Sequence, residues 1–121
     1  MGKNILVVDD AKVVRQMNAL TLKREGFDVV EAVDGKDALL KIGETKFDLV
    51  VTDINMPEMD GIELIKQIRI MREHKFMPII VISTLSRDED VKVGRLAGAS
   101  GWIFKPYKSK QLIDAVRKFI R

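Results

Sequence analysis

Five short apolar runs, separated by longer stretches of helical periodicity, constrain this chain more than any other feature. The runs are Ile5–Val8, Val29–Val30 with Ala32, Leu49–Val51, Ile79–Ile82 and Trp102–Phe104. They are mostly β-branched and continuous rather than alternating, as in strands covered on both faces. Between them, Val13, Met17 and Leu20 recur at i, i+4 and i+7, and so do Leu64, Ile68 and Met71, with Ile65 widening the stripe. Leu112, Ile113, Val116, Phe119 and Ile120 form a further apolar face, and Ala38, Leu39 and Ile42 mark a helix between Asp34 and Thr45. Val91, Val93, Leu96 and Ala97 give a weaker stripe between Asp88 and Ala97. Gly26 predicts the end of the first helix, Asp34-Gly35 the start of the second, Gly98 the end of the fourth and Ser109 the N-cap of the fifth.

Strand then helix, repeated five times, predicts an α/β fold: a doubly wound, five-stranded parallel sheet with helices on both faces. Right-handed crossovers and the flavodoxin-like strand order 2-1-3-4-5 are expected. With no linker or low-complexity tract, residues 1–121 are read as one domain, long enough to bury a core. Apolar residues at 46 % and charged residues at 32 % mark a globular chain rather than a disordered one. No apolar run approaches the roughly 20 residues that span a bilayer, and Ile5–Val8 is too short for a secretory leader. Leu6 stands where an N-myristoylation signal needs Ser or Thr. There are no cysteines, which excludes disulfides, thiolate chemistry and Cys-based metal sites. A cytoplasmic protein is expected, with no membrane partner. The net charge of +3 leans weakly toward acidic partners, and the basic tail Lys105–Arg121 reads as a solvated helix face. Without aromatic–basic interleaving, no nucleic-acid partner is expected.

In a sheet of this kind, sites form outside the carboxyl ends of the strands. The first run ends in Asp9-Asp10, the third in Asp53, the fourth in Ser83-Thr84 and the fifth in Lys105-Pro106, while the second ends at Glu31-Ala32 on a sheet edge. Carboxylates, a hydroxyl and an ammonium therefore converge. Three neighbouring acids raise each other's pKa, and a hard divalent cation relieves this. Mg²⁺ takes one or two carboxylates plus waters and phosphate oxygens. Lys105 supplies a balancing charge and pairs with Asp53 when no metal is bound. A carboxylate can attack phosphorus to give an acyl phosphate. Metal, ammonium and hydroxyl would then neutralise the transferring oxygens. Asp53, single and central, is the nucleophile candidate.

These residues, in this order and spacing, resemble the receiver domain of two-component response regulators over essentially the whole chain. The resemblance is carried by Val8-Asp9-Asp10, the Asp53…Met56-Pro57…Gly61 loop, Ser83 after an apolar strand, and Gly98-Ala99-Ser100-Gly101 leading to Lys105-Pro106. The chain looks most like a stand-alone, CheY-like chemotaxis regulator. The resemblance implies that Asp53 is the phospho-acceptor. It implies that Asp9 and Asp10 hold Mg²⁺ at Asp53, with the backbone carbonyl of Asn55 as a further ligand. Lys105 would bind the phosphoryl group before a cis Pro106. Ser83 would be the switch hydroxyl, favoured over Thr84 by the spacing back from Gly98 and Lys105. Trp102 stands where the family carries its coupled switch aromatic, often Tyr or Phe. A CheA-like histidine kinase would be the phosphodonor. A downstream protein, with the flagellar motor switch as one candidate, would dock on the fourth helix, fifth strand and fifth helix. The implied protein is a monomer that catalyses its own phosphorylation and dephosphorylation and turns over no external substrate, and so is not an enzyme in the ordinary sense. It departs from the pattern at Trp102, which is bulkier than Tyr, and at Leu85, where chemotaxis regulators often carry an acid. Asn55 and Leu85 occupy positions that tune phosphoryl lifetime, so the lifetime does not carry over. The chain closes after its fifth helix, so output through docking is expected, with Val91, Val93, Arg95 and Trp102 as the candidate face.

Plainer roles exist for each residue. Asp9 or Asp10 could cap the first helix, Asp53 could open a turn before Pro57, and Trp102 could be core packing. His74, the sole histidine, is expected to be solvated, and Met56, Met59 and Met71 to fill gaps or lie on the surface. A haloacid-dehalogenase-type phosphatase would need Asp-x-Asp after the first strand, whereas Asp9 and Asp10 are adjacent. A flavodoxin would need a Ser/Thr/Gly-rich loop there, and Asp9-Asp10 would repel the FMN phosphate. A receiver-like scaffold that is never phosphorylated would usually have lost an acid or the lysine, and all are present.

Overall fold

A computed structural model describes residues 2–84 and 87–120. The apolar runs are strands β1 (Asn4–Val8), β2 (Asp28–Ala32), β3 (Leu49–Asp53), β4 (Ile79–Ser83) and β5 (Gly101–Phe104). The intervening helices are α1 (Lys12–Arg24), α2 (Gly35–Glu44), α3 (Gly61–Ile70) and α4 (Asp88–Ala97), with α5 (Ser109–Phe119) after β5. A short 3-10 turn, Arg72–His74, follows α3. The strands pair in parallel in the order β2-β1-β3-β4-β5, as the sequence pattern predicts. Leu6 lies opposite Val50, and Val50 opposite Ile79, in register.

The pleat of the central strands divides their side chains between two cores. Leu6, Val8, Val50, Ile79 and Val81 pack with Ala38 and Ile42 of α2 and with Leu64, Ile65 and Ile68 of α3. Ile5, Val7, Leu49, Val51, Ile80 and Ile82 pack with Leu22 of α1 and with Leu112 and Val116 of α5. Strands β3 and β4 are buried along their whole length, which explains why they stay apolar until their carboxyl ends. Each fully buried Leu or Ile contributes about 1.5–3 kcal/mol relative to an exposed one.

The predicted helix ends hold for α1, α2 and α4. Gly26 has φ 94° just beyond α1, and Gly98, with φ 122°, caps α4. Asp34 caps α2, accepting the Asp37 N–H at 2.8 Å. The start of α5 differs: Ser109 is its first helical residue, Lys108 is the N-cap, and the Gln111 side chain accepts the Lys108 N–H at 2.7 Å. The glutamine reaches back to satisfy the N–H of the N-cap residue itself.

The larger correction concerns α1. Val13 and Met17 are 68 % and 63 % exposed, and Leu20 is exposed too. The sheet-facing residues are Arg15, Asn18, Ala19 and Leu22. At 3.6 residues per turn these two sets lie on opposite sides of the helix. Polar Arg15 and Asn18 can face inward because each finds a hydrogen-bond partner there, so counting apolar residues selects the wrong stripe. His74 is likewise buried rather than solvated, closing the 3-10 turn beneath Arg69, whose guanidinium donates to the His74 carbonyl at 2.9 Å. Met56 is buried, and Met59 and Met71 pack against the first of the two cores.

This orientation of α1 sets an expectation for urea unfolding. Leu22→Ala should lose about 2–5 kcal/mol of stability, and Met17→Gln should stay within about 0.5 kcal/mol of wild type. The opposite ranking would mean that α1 is rotated.

Candidate functional site

Because all five strands run parallel, their carboxyl ends share one edge. Val8 pairs with Thr52, which sets Asp9 beside Asp53. Ser83 pairs with Phe104, which sets Lys105 beside the end of β4, and the Lys105 N–H donates to the Ser83 carbonyl at 2.9 Å. Carboxylate oxygens of Asp9, Asp10 and Asp53 lie within 4.8 Å of one another. Asp9 and Asp53 are buried and Asp10 is exposed. The Lys105 ammonium is 3.3 Å from Asp53 Oδ2. The four charged residues expected at the site are therefore brought together.

Local hydrogen bonds orient the acids. Asp9 Oδ1 accepts the Ala11 N–H at 2.9 Å. Asp53 Oδ1 accepts the Ile54 N–H at 2.7 Å, which leaves Oδ2 for Lys105. Neither Asp9 nor Asp10 is the N-cap of α1, a position held by Ala11; the Asp9 carboxylate instead accepts the N–H of that N-cap residue. Burial pushes the Asp9 carboxyl above its ordinary value, and the Asp53 and Asp10 charges push the same way. The Ala11 N–H and Lys105 oppose them without cancelling the effect. This donor set of hard oxygens around one corner fits a divalent cation such as Mg²⁺.

The loop after Asp53 turns back tightly. The Gly61 N–H donates to the Ile54 carbonyl at 2.8 Å, and a methyl group at Gly61 would overlap the Asp53 carbonyl. Asn55 is exposed in this loop, and Glu58 adopts φ 65°. Ser83 is fully buried at the end of β4, while Thr84 is exposed. Lys105–Pro106 is a cis peptide bond. Leu85 lies outside the described residues.

Trp102 is half-buried and packs against the first core, away from the acids. A methyl group at Gly94 of α4 would overlap its ring, so a glycine in mid-helix makes room for the indole. Gly94 is the one buried residue of α4, and Val93 and Leu96 are exposed. A surface groove of about 470 Å³ runs between α4 and β5, lined by Asp88, Val91, Lys92, Arg95, Leu96 and Phe104. Phe104 continues an apolar strand run, yet it is 45 % exposed on this face. Sequence reasoning also missed Tyr107, whose hydroxyl donates to Asn18 Oδ1 at 2.6 Å. Burial raises the Tyr107 hydroxyl above its ordinary pKa. Tyr107 is the chain's single tyrosine and follows Lys105-Pro106 directly, which was the available signal.

Comparison with known proteins agrees with this geometry. The response regulator receiver domain model matches residues 5–117. Protein PilG of Pseudomonas aeruginosa is 33 % identical over 119 residues, which cover 98 % of this chain and 88 % of that protein. The alkaline phosphatase synthesis transcriptional regulatory protein PhoP of Bacillus subtilis is 36 % identical over 122 residues; the match covers 100 % of this chain but only 50 % of PhoP. Among solved structures, the Vibrio cholerae chemotaxis protein CheY4 superposes with a TM-score of 0.96 at 35 % identity, covering 99 % of this chain and 100 % of that one.

The raised Asp9 pKa carries a sign. A carboxyl held above its unfolded value favours the folded state at low pH, and that advantage is lost as pH rises through the folded-state pKa. In metal-free buffer at neutral pH, Asp9→Asn should therefore raise the urea midpoint, with the gain shrinking below the ordinary carboxylate pKa. Mg²⁺ at ten times its Kd should stabilise wild type by about 1.4 kcal/mol and the variant by less.

Proposed function

The chain belongs to the response regulator receiver domain family, and on that premise we propose that it is a phosphorelay switch which takes a phosphoryl group on Asp53. The observation that carries this reading is the Asp53 carboxylate held 3.3 Å from the Lys105 ammonium within 4.8 Å of Asp9 and Asp10. Asp9, Asp10, Asp53 and the Asn55 carbonyl would hold Mg²⁺. When bound, the cation supplies positive charge that offsets the carboxylates and the phosphoryl oxygens.

The chain's own residues do the rest. A histidine kinase is the phosphodonor. An Asp53 carboxylate oxygen attacks phosphorus, and the bond from phosphorus to the kinase imidazole nitrogen breaks. That nitrogen keeps the electron pair and takes a proton from solvent, and Asp53 carries an acyl phosphate. Lys105 leaves its ion pair and binds a phosphoryl oxygen, while the Ser83 hydroxyl takes another. Hydrolysis by water later restores the carboxylate. This is self-modification with no external substrate turned over.

Residues 1–121 act as one receiver unit, a cytoplasmic monomer in this reading; among the described residues no helix is long and apolar enough to cross a membrane. Likeness to chemotaxis protein CheY4 supports a chemotaxis or motility pathway, with a CheA-like kinase upstream and the flagellar motor switch as a candidate target. Output passes through the α4–β5–α5 face, where Trp102 seated over Gly94 links β5 to α4. The groove beside it is lined by apolar Val91, Leu96 and Phe104, basic Lys92 and Arg95 and acidic Asp88, which favours an amphipathic partner segment of mixed charge.

Intact mass after incubation with Mg²⁺ and acetyl phosphate tests the reading. Wild type should gain one phosphoryl group, chelation of Mg²⁺ should prevent it, and Lys105→Ala should slow it at least about tenfold. An unchanged yield in Asp53→Asn would sink the assignment.

A further inference from the structure

Helix α1 buries two polar side chains that the phosphoryl chemistry does not itself use. Arg15 is 9 % exposed and Asn18 6 %. Arg15 Nη1 donates to the Asp9 carbonyl at 2.9 Å, and its Nε pairs with Glu31 at 3.1 Å. One turn along the same face, Asn18 Oδ1 accepts the Tyr107 hydroxyl at 2.6 Å. One face of one helix thus grips both halves of the charged site: the acid-bearing loop after β1 and the loop that carries Lys105.

We infer that Asn18 and Tyr107 are positioning residues that set the reach of Lys105 to Asp53, as Arg15 fixes the main chain at Asp9. The kinetic part of this inference rests on the phosphoryl-transfer reading above. The segment from Lys105 to Tyr107 is only three residues long. Its first residue is tied to β4 by the Lys105 N–H on the Ser83 carbonyl at 2.9 Å. Its last residue is tied to α1 by the Tyr107 hydroxyl. Between the loop and α1 lies a cavity of about 530 Å³, lined by Asn18, Thr84, Lys105, Pro106, Tyr107 and Leu112 among others. Lys105 therefore has open space on that side and is not wedged in place by packing. Its four-carbon stem is flexible. Where its Cα sits decides how much of the time the ammonium meets Asp53.

The plainer role for the Asn18–Tyr107 bond is to fasten the loop to α1 with no effect on the site. A double-mutant cycle separates the two roles. Wild type, Tyr107→Phe, Lys105→Ala and the double variant are compared in rate of Asp53 phosphorylation from acetyl phosphate with Mg²⁺ and, separately, in urea midpoint. Phenylalanine keeps the ring that packs against the second core and removes only the hydroxyl. Tyr107→Phe should slow phosphorylation about three- to tenfold, the scale of one lost hydrogen bond. Asn18→Ala should do the same. In the Lys105→Ala background Tyr107→Phe should slow nothing further, and the two destabilisations should fall short of additive. Unchanged kinetics in Tyr107→Phe, or an equal slowing whether or not Lys105 is present, would overturn the inference. If wild type takes no phosphoryl group, the phosphoryl-transfer reading falls by itself. The urea cycle then decides the positioning role: coupling upholds it and additivity overturns it.

Discussion

Asp9, Asp10 and Asp53 hold carboxylate oxygens within 4.8 Å of one another at the mouth of a sheet, two of them out of water. Burial first, and the neighbouring Asp53 and Asp10 charges after it, push the Asp9 carboxyl above its ordinary pKa. Much of the surrounding structure sustains the arrangement. Parallel pairing sends every strand's last residue to the same edge. Lys105 reaches in from β5 to offset one charge. Gly61 gives up its side chain so that the loop can close against Asp53. A corner of this kind offers hard oxygen donors to a cation, and in the proposed reading it is where the phosphoryl group arrives.

The helices divide the work around that corner. On one face of the sheet, α2 and α3 supply apolar packing, and α4 lies lightly on Trp102 through a single buried glycine. A helix with so little buried surface is cheap to shift relative to the sheet, which suits an output element. On the other face, α1 spends two inward positions on Arg15 and Asn18 instead of on apolar residues. That costs packing, and the return is a fixed geometry for the loops that carry Asp9 and Lys105.

The legible parts of the sequence were those where one physical demand acts alone. Strands β3 and β4 are covered on both faces, so they run apolar until Thr52-Asp53 and Ser83 at their carboxyl ends, and these stand out at once. The resemblance to receiver domains then joined those endpoints into one site. Reading failed where two demands compete. In α1 the inward polar residues answer to the site and the outward Val13, Met17 and Leu20 do not answer to the core, so periodicity pointed the wrong way round the helix. His74 is buried in a 3-10 turn whose carbonyl accepts from Arg69, a contact across five residues that composition does not display. Phe104 continues an apolar strand run yet faces outward, and only the register of β5 against β4 reveals it. Ser109 sits one residue inside α5, whose N-cap is Lys108, with Gln111 accepting the Lys108 N–H.

The central claim is that the carboxylate at the end of β3 is the group that becomes phosphorylated. An acyl phosphate formed with Mg²⁺ and a small phosphodonor can be trapped by borohydride reduction and located by fragmentation mass spectrometry of the peptide spanning Leu49 to Gly61. The account predicts that the reduced residue is Asp53, with Asp9 and Asp10 unmodified. Reduction at Asp9 or Asp10, or a phosphoryl group found only outside these three acids, would contradict it.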